Sequence, residues 1–406
     1  MQTSIQLIHA HRGQRGEGPE FLTEAATESV RHLHQSVTVY QETPLVPLDD
    51  LAKRLGVKGI YVKDESKRFG LNAFKGLGGI YVLSRTVCEK LGLDITTTDF
   101  TELQKPEYRE KIADIVFVTA TDGNHGKGIA WAAGQLGCQS KVYMPKGSSP
   151  RRAQAIRDAG KADVTITDMG YDDTVRYAEE MSRKYGWTLL QDTSWPGYEE
   201  IPKWIIQGYT TMAWEALRQL EAYAPRPTHV FLQAGVGAMA GGVTGFLVNY
   251  YGEQCPDITI VEPAEVACIF ESARQADQAP HAAVGSGETI MAGLNCGEPC
   301  TVTWPILRDC ADHYMACPDY VSARGMRLLA APCGEDGKIV SGESGAVTLG
   351  ALSLLMERSE LAEARERMGL TKDSVVLLFN TEGDTDPQSY RDIVYDGKYS
   401  TPEEDD

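Results

Sequence analysis

What the chain has little of narrows its role first. It has no excess of basic residues: 39 Lys and Arg stand against 57 Asp and Glu, a formal net charge of -18. A surface of that sign repels phosphate backbones, so no nucleic-acid partner is expected. None of its nine cysteines forms a C-x-x-C pair, which excludes zinc ribbons and thioredoxin-type motifs. Most are expected to be core thiols, and spacing does not decide whether the cluster Cys296, Cys300, Cys310 and Cys317 holds a disulfide. No apolar run approaches the ~20 residues of a membrane span, and "MQTSIQLIHAHRGQ" has no long apolar stretch of a secretory leader. A cytoplasmic protein with no membrane partner is expected. Internal repeats and low-complexity linkers are also missing.

What is present is a long chain of 406 residues, 42% of them hydrophobic, enough for two domains. Residues 396–406, ending in "STPEEDD", have no apolar face and are expected to form a flexible acidic tail. Short β-branched runs recur around Tyr61, Phe117, Tyr143, Ile166, Phe231, Ile260 and Leu377, with helix-period stretches such as "GIAWAAGQLG", "DDTVRYAEEMSRKYG" and "IIQGYTTMAWEALRQLEA" between them. That alternation predicts an α/β fold with parallel sheets and right-handed crossovers. The polar segment from Thr97 to Lys111 reads as a surface loop. In such folds ligands sit at the carboxyl ends of strands, where glycine turns expose helix N-termini.

Three turns of that kind occur. The first, "GLNAFKGLGG", puts Lys75 at a helix start, where the dipole disfavours a cation. Apolar surroundings and positive helix ends lower an amine pKa, and a neutral amine forms Schiff bases. The second, "VTATDGNHGKGIAWAAG", departs from a Walker loop, because Gly128 stands where Ser or Thr belongs and the leading glycine is missing. Plain N-capping accounts for Thr121 or Asp122, but not for Thr121, Asp122, Gly123, Asn124 and His125 together; the helix start there suits a carboxylate. The third, "HVFLQAGVGAMAGGVTGF", offers G-x-G-x-x-A at Gly235, Gly237 and Ala240, with Glu262 closing the next strand. It fits a dinucleotide fingerprint, or equally any phosphate monoester held by backbone amides. A phosphate-bearing aldehyde unites the three turns, and pyridoxal 5'-phosphate is one.

The order of "NAFKGLGG", "TDGNHGKG", "QDTSWPGYEEIPKWIIQGY", "SGESGAV" and "TEGDTDP" resembles the fold type II pyridoxal-phosphate enzymes, the tryptophan synthase β and threonine dehydratase group. Within it the chain is most similar to the diaminopropionate ammonia-lyase family, from about Val39 to Pro387. The resemblance implies two open, mostly parallel sheets flanked by helices. It implies a large domain from residues 1–83 and 196–406, a small inserted domain over 84–195, and a homodimer.

The resemblance also assigns roles. Lys75 is expected to form the Schiff base with the cofactor and Asn124 to bond its phenolic oxygen. Gly235, Val236, Gly237, Ala238 and Met239 are expected to cradle its phosphate, Thr381 to meet its pyridine nitrogen, and Glu343 to lie nearby. Thr121, Asp122, Gly123, His125 and Asp192 are expected around a small amino-acid substrate, with Lys75, Asp122 and Asp192 as the catalytic groups. Asp122 stands where serine racemases and many dehydratases resemble one another in carrying a serine. A carboxylate at its usual pKa is ionised at neutral pH, can take a proton and can pair with an ammonium. The expected reaction is α,β-elimination of 2,3-diaminopropionate, the L isomer by Lys75 and the D isomer by Asp122, to pyruvate and two ammonia. No metal is expected. A serine or threonine dehydratase or racemase is the alternative, and an NAD-dependent dehydrogenase built on Gly235 to Glu262 a remote one.

Overall fold

The computed structural model describes residues 4–10, 14–224 and 226–403. Eleven strands occur among the described residues: β1 (Gln6–His9), β2 (Leu45–Pro47), β3 (Gly59–Asp64), β4 (Val116–Ala120), β5 (Gln139–Met144), β6 (Asp163–Ile166), β7 (Thr188–Leu189), β8 (His229–Gln233), β9 (Asp257–Pro263), β10 (His313–Cys317) and β11 (Val375–Asn380). Seven form one sheet in the order β1-β10-β9-β8-β11-β3-β2, parallel except at its edges, where β1 and β2 run antiparallel to their neighbours. Four form a second, all-parallel sheet in the order β6-β5-β4-β7.

Helices cover both faces of the inner strands, so β3, β8, β10 and β11 are buried along their whole length. This is why they read as nearly continuous apolar runs instead of an alternation. The seven strands anticipated from β-branched runs are present. The four that were not are the edge strands β1 and β2, the two-residue β7, and β10, whose "HYMAC" contains no β-branched residue.

One feature differs from the sequence reading. The segment Thr97–Lys111, expected as a loop, contains the helices Phe100–Leu103 and Pro106–Ile112, which bury Phe100, Leu103 and Ile112. Three apolar residues among so many polar ones are too few to show a helical period. At the acidic end, the Lys398 and Tyr399 carbonyls each accept a 3.1 Å hydrogen bond from Arg327, and the Pro402 carbonyl accepts one from Arg358. Residues 404–406 lie outside the described residues.

The helix Gly76–Leu91 is buried along most of its length, and the helix Asn124–Leu136 crosses its start. That crossing explains Gly128: a Cβ there would lie 3.1 Å from the Lys75 carbonyl carbon and oxygen. The glycine is therefore set by a backbone contact that holds Lys75 against the second turn. Thr121 after β4, Ala234 after β8 and Thr381 after β11 all open on one cleft, at the carboxyl ends of strands from both sheets.

Candidate active site

The cleft, with about 720 Å³ of empty space including the solvent at its open mouth, is lined by Lys75, Thr121, Asp122, Gly123, Asn124, His125, Asp192, the turn Gly235–Met239 and Thr381. Side chains far apart in sequence thus converge on it.

Lys75 is the centre of its charge. The ammonium donates a short hydrogen bond to Asp192 Oδ2. Burial pushes the Lys75 pKa down, but the Asp192 carboxylate pushes it up further, so it lies above the ordinary lysine value. The expectation of a neutral amine in the cofactor-free chain is therefore corrected, because the apolar surroundings contain a carboxylate that sequence spacing does not reveal. Asp192 is 5% exposed. Burial would raise it, but His125 and Lys75 hold it below the usual carboxylate range.

Asp122 behaves differently. Burial raises it, Arg152 opposes, Asp192 adds to the rise, and it reaches about 7. The expectation of a carboxylate at its ordinary pKa is corrected too, since burial and a second carboxylate outweigh the nearby cations. A carboxyl poised near neutrality both accepts and returns protons. The His125 ring accounts for little of this chemistry. Its Nε2 donates to the Leu190 carbonyl at 2.7 Å, its Nδ1 has no hydrogen-bond partner and lies 3.8 Å from Asp192 Oδ2, and burial holds its pKa down.

The turn after β4 is organised by Thr121, whose Oγ1 accepts from the Gly123 and Gly126 amides at 2.9 and 3.0 Å. These two donors are thereby occupied, and the Thr121 amide is bonded to the Tyr143 carbonyl. The amides of Asp122, Asn124 and His125 are the ones that remain at this helix start for a carboxylate. The Asn124 amide nitrogen donates to Glu382 Oε2 at 2.6 Å and keeps a second N–H for another acceptor.

On the opposite wall the helix Ala238–Tyr251 starts inside the turn, with Gly237 at φ +89° and ψ 3°. This left-handed conformation favours glycine and points the first helical amides into the cleft. Thr381 accepts a 2.9 Å hydrogen bond from Gln233 Nε2.

Glu343 is not brought into the cleft. Its carboxylate accepts from Ser389 and lines an adjoining cavity together with Asp122, Arg152 and Asp386. Glu382 lines the cleft itself, accepting from Asn124 and from the Ser344 amide. Glu382 was legible only as the neighbour of Thr381, and Gln233 only as a polar residue closing an apolar strand. Tyr171 lines the cleft as well. Glu262, the acid of the dinucleotide fingerprint, accepts from the Ile269 and Phe270 amides at 2.8 and 2.7 Å. It caps a helix, so the acid that the fingerprint would give to a ribose is already occupied, and the dehydrogenase alternative loses its anchor.

The model of the pyridoxal-phosphate dependent enzyme family matches residues 38–379. A diaminopropionate ammonia-lyase of Salmonella typhimurium is 52% identical over 367 residues, 90% of this chain and 91% of that one. The chain belongs to the diaminopropionate ammonia-lyase family. Two solved structures of the Escherichia coli diaminopropionate ammonia lyase superpose on it at 46% identity. One, in complex with D-serine, has a TM-score of 0.92 and covers 98% of this chain and 99% of its own. The other, in complex with an aminoacrylate-PLP azomethine reaction intermediate, has a TM-score of 0.91 and covers 99% of each.

The residues present fit the cofactor of this family. A helix start with unbonded amides suits a phosphate, a lysine opens on the cleft, the Asn124 amide offers a donor, and Thr381 offers a hydroxyl. None of the nine cysteines forms a disulfide among the described residues, and no described helix is long and apolar enough to cross a membrane.

Proposed function

We propose that the chain is a carbon–nitrogen lyase that converts 2,3-diaminopropionate, L and D, to pyruvate and two ammonia with pyridoxal 5'-phosphate. The observation that carries this reading is the charge of the cleft: one lysine shares it with three enclosed carboxylates, Asp122, Asp192 and Glu382. Diaminopropionate brings a second ammonium for these carboxylates to pair with, whereas the hydroxyl of serine or threonine brings no charge.

When bound, pyridoxal phosphate supplies a carbonyl for the substrate's α-amino group and a conjugated ring that spreads the electron pair left at Cα. Lys75, Asn124, the Gly235–Met239 turn and Thr381 would hold it, while Glu343 acts from the adjoining cavity. The Asp122, Asn124 and His125 amides orient the substrate carboxylate. Lys75 Nζ, a neutral amine once the substrate's α-amino group has taken its place, takes the Cα proton of the L isomer, and Asp122 takes that of the D isomer. Asp192, ionised and buried, holds the departing β-amino group and steadies the Lys75 ammonium. Thr121 and Gly123 shape the turn, and His125 braces it through Leu190.

The four-stranded sheet supports a small unit over residues 84–195, inserted into a large one formed by 1–83 and 196–406. The reading includes a homodimer, carried by the family resemblance, and a cytoplasmic location, to which cysteines outside disulfides are suited.

The test is the visible spectrum of the purified holoenzyme as 2,3-diaminopropionate is added, with pyruvate assayed alongside. A cofactor band that shifts as pyruvate appears is the expected result. Turnover confined to serine or threonine would give the function to a dehydratase.

A further inference from the structure

Gln233 closes β8 and is 1% exposed. Its Nε2 donates to the Phe379 carbonyl at 2.8 Å and to Thr381 Oγ1 at 2.9 Å, while its Oε1 is buried without a partner. A backbone carbonyl only accepts, so the amide nitrogen must be the atom that faces it, and the orientation of Gln233 is fixed. A hydroxyl has one proton and two lone pairs. The Gln233 donor fills one lone pair of Thr381, and no acceptor for the Thr381 proton occurs among the described residues, although Thr381 lines the cleft. That proton is left to point into the cleft as a donor.

We propose that Gln233 is a positioning residue: by donating to Thr381 it turns the Thr381 proton toward the cofactor's ring nitrogen and keeps that nitrogen unprotonated. This rests on the pyridoxal-phosphate reading above. An unprotonated nitrogen accepts from the hydroxyl, whereas a protonated one would set proton against proton. The neutral ring is a milder electron sink, which suits loss of the β-amino group over transamination. Without the Gln233 amide the Phe379 carbonyl loses its donor. The Thr381 lone pair that Gln233 had filled is also freed, so the hydroxyl can rotate and present a lone pair to the ring nitrogen.

The test uses holoenzyme reconstituted with pyridoxal phosphate carrying ¹⁵N in the ring, and the nitrogen resonance is read at neutral pH. Wild type is expected at the position of an unprotonated, hydrogen-bonded pyridine. Gln233→Met is expected to move part of the way toward the pyridinium position, with the visible band retained. Thr381→Val and the double variant are expected to coincide, because Gln233 acts only through the Thr381 hydroxyl; a merely structural role would leave a further shift in the double variant. Gln233→Leu serves if Gln233→Met does not fold. A wild-type resonance at the pyridinium position overturns the proposal, as does an unmoved resonance in a Gln233 variant that retains its band. Failure of the cofactor reading looks different: wild type itself would hold no cofactor and show no band, and the proposal would fall with it.

Discussion

Between the end of β3 and the helix Glu200–Leu220, Lys63 and Arg68 face Glu65 and Glu215, fully buried and matched two against two. Arg68 Nη2 lies 2.8 Å from Glu65 Oε1 and 2.7 Å from Glu215 Oε2, and Lys63 Nζ lies 2.6 Å from Glu215 Oε2. Tyr40 and Thr43 take up further carboxylate positions at 2.8 and 2.6 Å. In the cleft, by contrast, Lys75 is bonded to Asp192, Asp122 has no bonded cation, and Arg152 acts on it only from the adjoining cavity. The two clusters show what buried charge is for in each place. A balanced network holds its region together, while a set lacking a cation spends stability to keep a position for a charged ligand.

The contrast is sharpened most by Lys75→Ala, for which turnover is expected to fall by about 10⁴-fold or more. Pyruvate release and the visible cofactor band are the readouts, and both should be lost together. Glu215→Gln reverses the pattern. Leaving Arg68 and Lys63 underpaired is expected to cost about 3–5 kcal/mol of stability in denaturant unfolding, with kcat/KM of the folded fraction unchanged. A loss of activity exceeding the loss of fold would break the comparison.

A smaller effect follows from the Asp122 pKa of about 7. Because the pKa is raised, the carboxyl is neutral on the acid side and the base form is lost as pH falls. For D-2,3-diaminopropionate, kcat/KM should therefore drop about tenfold per pH unit below that value. The L isomer, for which Lys75 is the proposed base, should show a flatter profile over the same range.

Much of this was legible in the sequence because the functional residues sit in turns, where glycine and polar clusters mark strand ends. Lys75, the Thr121–His125 turn and the Gly235–Met239 turn were found in that way. The resemblance to a known family added Asp192, Glu343 and Thr381. What stayed hidden depends on neighbours across the fold. The ion pair with Asp192 reverses the expected direction at Lys75, and burial moves Asp122 away from its ordinary value. Thr121 spends two amides of its own turn, and Glu262, whose spacing suited a ribose, is occupied by a helix start. Gln233 gave no motif because the groups it joins, the Phe379 carbonyl of β11 and the Thr381 hydroxyl just after that strand, reach it only across the fold.

The most direct test of the account is Asp122→Asn, an isosteric change, with pyruvate release measured on the D and L isomers side by side. The account predicts a loss of about 10²-fold or more on the D isomer, as expected for removal of a general base, with the L isomer largely retained. Equal loss on both isomers, or an undiminished rate on D, would contradict it.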